Sequence, residues 1–198
     1  MRKILLAVAF TIAIALPLRA QTPAVVPTAV LPKKIDNEFV HQQFGKEFTL
    51  MPEVGASFGD LDGDGVEDVA IAARCKNPML DQAEHNFKVV DPFYDFFGYG
   101  DPKLTTTFSE GDPGLRGMVV LIIYGSKAEG WRSEKPKSKY VIVNLPFRAI
   151  SVRKMDLGKK TIEAVYVEET GNKGETSAVF FDAKRKKFHY VPMGGDMQ

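Results

Sequence analysis

Cysteine occurs once in the 198 residues, at Cys75. No disulfide can close within the chain, so the fold must rest on its core and on any metal it binds. Cys75 directly follows an apolar run and reads as a buried structural thiol. Histidine occurs three times, at His41, His85 and His189. No two of these stand at His-x-x-x-His spacing, so zinc-hydrolase chemistry finds no support. There is no Gly-x-Ser-x-Gly elbow and no Walker loop. No catalytic residue is assigned, because Ser57 and Ser109 have no local base. Neither sign of charge is in excess, with 26 basic against 25 acidic residues. A chain this close to neutral has no electrostatic case for binding nucleic acid.

An apolar stretch of about 20 residues, the length of a membrane span, is also missing. The longest run, Ile4 to Leu16, is about 13 residues and is broken only by Thr11. It follows Arg2 and Lys3 and precedes Pro17-Leu18-Arg19-Ala20. A basic start, a short apolar core and a small residue at the cut predict a secretory signal peptide over 1–20, cleaved after Ala20. The expected location is periplasmic or extracellular, with no membrane span after cleavage. No cysteine follows the cut, so a lipoprotein anchor is not expected. Cleavage removes Arg2, Lys3 and Arg19 and no acid, leaving 23 basic and 25 acidic residues and a net charge of −2.

The full chain is of average globular make-up, 44% hydrophobic and 26% charged, enough for one domain or two small ones. Residues 21–34 carry Pro23, Pro27 and Pro32 among small residues and read as an extended linker. Asp36 or Asn37 is placed to cap a short helix bearing Ile35, Phe39, Val40 and Phe44 on one face, with Gly45 as its stop. From Phe48 onward, strand signals dominate: "VEDVAIAAR", "GMVVLIIYG", "KYVIVNL", "RAISVRKMDL", "KTIEAVYVEE", "TSAVFFD" and "KFHYVPM". In "KYVIVNL" alternation sets Val141 and Val143 against Ile142. The connections "DLGKK", "TGNKGE" and "DAKRKK" have turn chemistry. This spacing predicts antiparallel meanders rather than βαβ units. Lys184-Arg185-Lys186-Lys187 falls in one of these turns and reads as a solvated basic tip, with contact to an anionic polymer as the other reading.

The most specific stretch is "GDLDGDGVEDVAIAAR", Gly59 to Arg74. Asp60, Asp62, Asp64 and Asp68 fall within nine positions and run straight into a strand. Alternate side chains of a tight loop can converge on one point. Several oxygen donors with no nitrogen or sulfur favour a hard cation, and calcium suits flexible multi-oxygen ligation better than magnesium. Without a cation, carboxylates this close repel. Gly63 and Gly65 let the backbone bend, and the carbonyl of Val66 is placed to add a ligand. An EF-hand would need a glutamate at the twelfth position and flanking helices. Here that position is Ile71, inside the strand. Dockerin-type loops also run into helices.

"GASFGDLDGDGVEDVAIAAR", followed after an insertion by "GMVVLIIYGSKAEGW", resembles the FG-GAP repeat of integrin-α-type β-propellers and related bacterial proteins. The matching residues are Phe58-Gly59, the run Asp60 to Gly65, Asp68 leading into an apolar strand, and later Gly117 and Tyr124-Gly125-Ser126. The resemblance covers 54–131. It implies a four-stranded blade with calcium in the loop between its first two strands, ligated by Asp60, Asp62, Asp64 and Asp68 and by the Val66 carbonyl. The family's "GAP" is replaced here by Ala72-Ala73-Arg74, and the long insertion is not typical. A second, degenerate blade is expected over 148–192: in "RKMDLGKKTIEAVYVEE", Asp156-Leu157 falls on Asp60-Leu61 and Ala164 to Val167 on Val69 to Ala72, with a tight turn in place of the metal loop. Propellers have four to eight blades, so two such units cannot close one.

The expected fold is therefore mainly β. It has two antiparallel four-stranded blade-like units, about eight strands, a short N-terminal helix and a long aromatic insertion, and it is not a closed propeller on its own. The expected divisions are a signal peptide at 1–20, a linker at 21–34, an FG-GAP-like unit at 35–147 with its insertion at 76–116, and a second unit at 148–198. The insertion holds "DPFYDFFGYGDP", with Phe93, Tyr94, Phe96, Phe97 and Tyr99. Those rings either form a ligand-binding surface for a glycan or protein, or fill a private core beneath the insertion. The expected function is a calcium-binding β module for binding, adhesion or structure at the cell envelope. The alternative is an exported enzyme or enzyme inhibitor acting through the aromatic insertion, with calcium structural only. The sequence leaves the oligomeric state open; a third possibility is a subunit of an assembled propeller.

Overall fold

The computed structural model describes residues 34–99, 117–169 and 174–193. The expected signal peptide, the linker up to residue 33 and residues 100–116 of the insertion lie outside the described residues. The described residues all belong to one compact unit.

Helix α1 spans Asn37–Phe44. Asp36 caps it, its Oδ1 accepting from the Phe39 N–H at 3.0 Å, and Gly45 ends it, both as the sequence predicts. Its apolar face presents Phe39, Val40 and Phe44. Phe44 meets Phe48 and Phe87 with ring centroids 5.8 and 5.7 Å away, and Phe39 meets Trp131 edge-on at 5.6 Å.

Beneath the helix lies a six-stranded sheet. Its centre is β3 (Asp68–Cys75) paired antiparallel with β5 (Met118–Tyr124), in the register Val69↔Ile123 to Arg74↔Met118. Both strands are buried on both faces, which is why they read as continuous apolar runs rather than alternating ones. Along one edge of β3 run β1 (Phe48–Leu50) and then β2 (Ala56–Gly59), two pieces of one interrupted edge. On the other side β5 pairs with β6 (Ser138–Ile142). The final strand, β4 (Lys88–Val90), pairs with β6 in parallel.

β4 is a departure from the antiparallel meander the sequence suggests. It comes from inside the insertion, whose described part also forms α2 (Gln82–His85) and α3 (Pro92–Phe97). The long path from β4 through α3 and β5 to β6 supplies the crossover a parallel pair needs.

The second sheet is an antiparallel meander of β7 (Ala149–Asp156), β8 (Thr161–Glu168), β9 (Ser177–Asp182) and β10 (Lys187–Pro192). It packs on the face of the first sheet away from α1. Alternation along β3 and β5 sorts side chains accordingly. Val69, Ile71, Val119, Leu121 and Ile123 point to the α1 side. Ala70, Ala72, Val120, Ile122 and Tyr124 join Val165, Val167, Val179 and Phe188 between the sheets. Val141 and Val143 face α1 while Ile142 faces the second sheet, as their alternation predicts. At the edge, the Ser57 hydroxyl on β2 accepts from the Val152 N–H on β7 at 2.8 Å.

The architecture is thus mainly β, ten strands among the described residues in sheets of six and four, with few helices and no closed barrel. β1 and β4 account for the excess over the eight strands expected. No described helix is long and apolar enough to cross a membrane.

Candidate metal centre at the sheet junction

β2 and β3 are joined by residues 60–67, and the strands still pair at Gly59↔Asp68 as the loop opens. The loop is wound around Asp60. Its Oδ1 accepts the N–H groups of Gly63 and Asp64 at 2.8 and 2.9 Å, and its Oδ2 accepts that of Gly65 at 2.8 Å. Gly63 and Gly65 have φ of 80° and 83°, a region where a side chain would strain the backbone. The loop is shaped by a carboxylate turning the chain back on itself, and the two glycines permit that turn.

Asp68, at the other end, is buried and accepts two N–H groups: that of Leu61 at 2.8 Å and that of Gly125 at 2.7 Å. It ties the loop to the end of β5. Gly125 has to be glycine, because a Cβ there would run into the backbone of Glu67 and Gly130. Burial pushes the Asp68 carboxyl up to about 7; the two N–H bonds oppose the shift, and the charges of Asp62 and Asp60 add to it.

Asp62 sits between them. Its side chain is only 4% exposed, and its Oδ1 is buried without a hydrogen-bond partner among the described residues. A buried carboxylate oxygen left unpaired costs free energy. Its other oxygen meets the Lys137 ammonium at 2.7 Å, and the same ammonium meets Asp64 Oδ2 at 2.7 Å. The Lys137 bond holds the Asp64 carboxyl below the usual range, and the two aspartates hold the Lys137 ammonium above its own.

Of the five ligands implied by the family resemblance, three are brought together. One oxygen each of Asp60, Asp62 and Asp68 lies within 4.8 Å of the others. Asp64 is turned to Lys137 and to the Val66 N–H, which it accepts at 2.9 Å. Val66 therefore enters the described hydrogen bonding through its N–H. The donor set is all oxygen, and a hard divalent cation would satisfy the orphaned Asp62 oxygen and offset the mutual repulsion of the three carboxylates. To approach, it would have to compete with one ammonium.

Two residues at this site come from distant parts of the chain. Lys137 lies 73 positions from Asp64. Glu163, on β8, accepts the Asp60 N–H through Oε2 at 2.5 Å, so the second sheet reaches the loop directly. Lys137 has no counterpart in any motif, whereas Glu163 has one in the repeat. Laying Ala164 on Val69 places Glu163 opposite Asp68, the acid that opens the apolar strand. The β7–β8 turn itself is tight, closed by Leu157 N–H to Lys160 C=O at 2.9 Å and Thr161 Oγ1 to Asp156 Oδ1 at 2.6 Å.

The aromatic stretch divides between the two readings. Asp91 caps α3, accepting the Tyr94 N–H at 2.9 Å. Phe93 is half-buried and packs edge-on to Tyr190 at 5.2 Å, and Tyr94 is half-buried beside it. Phe96 and Phe97 are 52% exposed and Tyr99 78%. The histidines stand on separate elements, with His41 on α1, His85 on α2 and His189 on β10, where it stacks on Phe180 at 5.2 Å. Cys75 is buried, and burial pushes its thiol up to about 12.

Comparison with protein-family models, with curated proteins and with solved structures returns no match to this chain, so the likeness to FG-GAP repeats rests on the residues quoted for it.

Proposed function

We propose that the 60–68 loop binds one calcium ion and that the protein is an exported, calcium-binding β module with a binding, adhesion or structural role at the cell envelope. The observation that carries the metal reading is that Asp60, Asp62 and Asp68 each bring one carboxylate oxygen within 4.8 Å of the others, while Oδ1 of Asp62 is buried without a hydrogen-bond partner among the described residues. Asp60, Asp62 and Asp68 would hold the ion, with Asp64 reaching it only after leaving Lys137. Calcium would supply the positive charge that lets three acids share one space. Because Glu163 of the second sheet holds the loop's first N–H, a filled loop would also fix the junction of the sheets. Calorimetric titration should give one calcium per chain. The Asp62→Asn variant should lose that binding, and unaltered heat in this variant would refute the site.

The exposed Phe96, Phe97 and Tyr99 favour a contact surface on the insertion, with a glycan or protein as partner. The same surface would serve the alternative reading, an exported enzyme or enzyme inhibitor in which calcium is structural. The arms separate on a Phe96→Ala/Phe97→Ala variant. An adhesion surface loses partner capture and keeps its calcium binding, whereas an inhibitor loses inhibition of a target enzyme.

A further inference from the structure

Four lysines from three separate stretches of the chain converge. Lys88 comes from β4, Lys137 from the residue before β6, and Lys186 and Lys187 from the β9–β10 hairpin, and all line one cleft of about 370 Å³. The acids on its wall are Asp62 and Asp95. Lys137 is taken up by Asp62 and Asp64, and Lys187 stands 3.3 Å from Asp95. Lys88 and Lys186 have no acidic partner among the described residues. The lining therefore carries four lysines against two aspartates, with Asp64 just outside it on Lys137, in a protein that is otherwise close to neutral.

Its floor is aromatic. Tyr124, Tyr140, Phe181 and Phe188 line it, and every pair of these rings is in contact, with centroids 5.0 to 6.5 Å apart. Such a mutually braced set is fixed before any ligand arrives, which lowers the ordering cost of binding. The Tyr124 hydroxyl is buried there without a hydrogen-bond partner.

We infer that this cleft is a binding site for a small organic anion with a flat ring, an aryl phosphate or aryl carboxylate in chemical terms. The ring packs on the aromatic floor, and the anionic group meets the Lys88 and Lys186 ammoniums at the rim. The size lies at the small end of ligand sites. It admits one ring system and excludes a folded protein partner. Lysine ammoniums suit a freely oriented phosphate or carboxylate, because each is a mobile point charge with three donors. A simple inorganic anion would leave the aromatic floor unused, and a neutral ring would leave the two ammoniums unpaired. The site needs no metal.

Calorimetry on the protein with naphthyl phosphate and naphthoate tests this, with naphthol and inorganic phosphate as controls, each in chelator and again in calcium. At least one aryl anion should bind saturably in chelator, about tenfold or more tighter than either control. Raising salt from about 50 to about 500 mM should weaken it. The variant Lys88→Gln/Lys186→Gln should weaken it about tenfold with unchanged melting temperature. Asp95→Asn, which frees Lys187, should tighten it. The inference is overturned if neither aryl anion saturates, if naphthol binds as tightly, or if the double variant binds as the native protein does. Because these readings are made in chelator, they stand or fall apart from the calcium site.

Discussion

Lys137 and Lys139 lie two residues apart and do opposite things. Lys137 neutralises Asp62 and Asp64 at 2.7 Å from each, so it competes with any cation for the loop. Lys137→Met should therefore tighten calcium binding, by roughly tenfold for the loss of one nearby positive charge in a half-exposed site; weaker binding in a calorimetric titration would contradict this. Lys139 is half-buried, donates to the Gln43 carbonyl at 2.5 Å and lies over the Phe44 ring at 5.5 Å. Burial pushes its ammonium down to about 8 from an ordinary 10.5. Between those values the unfolded chain holds a proton that the folded chain does not, so this residue makes stability rise as pH rises from about 8. In urea unfolding, the difference between native protein and Lys139→Met should shift in favour of the native protein between pH 8 and 9. Cys75 acts with the opposite sign above its ordinary value of 9.0, but it is common to both proteins and cancels in the difference. A difference that stays flat with pH would contradict the assignment.

Elements differ in how far their neighbours dictate them. α1 is written locally: Asp36 supplies the cap oxygen, Gly45 the stop, and Phe39, Val40 and Phe44 the buried face. Asp36→Ala should cost about 1 kcal/mol in chemical denaturation, the usual worth of an N-cap. The central strand β5 is legible as an unbroken apolar run because both of its faces are covered. Leu121→Ala there should cost about 2 to 5 kcal/mol, as a cavity under α1; a loss below about 1 kcal/mol would mean the site is not packed as described. β4 was not legible. Three residues from an insertion join the sheet through a parallel pairing with β6, and that pairing depends on a distant strand rather than on anything in "KVV". The acidic loop was half legible. Its carboxylates and glycines announce themselves by spacing, and Asp60, Asp62 and Asp68 do converge. The diversion of Asp64 to Lys137 and the reach of Glu163 across to Asp60 come from residues 73 and 103 positions away along the chain, which spacing within the loop cannot report. The same holds for the lysine-rimmed cleft, whose four ammoniums come from three separate stretches of chain.

At the scale of the molecule, two sheets share one core and meet at the acidic loop. One strand edge passes Ser57 against Val152, and the loop's first amide is held by Glu163. The loop is thus a joint between sheets as well as a turn between strands. A cation bound there would stabilise the whole cooperative unit, because it would bind the folded form in preference to the unfolded one. The most direct measurement is the melting temperature of the protein in chelator and in millimolar calcium, for the native chain, Asp62→Asn and Asp64→Asn. At about a hundredfold excess over the dissociation constant the gain is about 2.7 kcal/mol, or roughly 5 to 10 °C for a chain of this size. The account predicts that rise in the native protein, most of it retained in Asp64→Asn and none in Asp62→Asn. Equal melting of the native protein in chelator and calcium would contradict it.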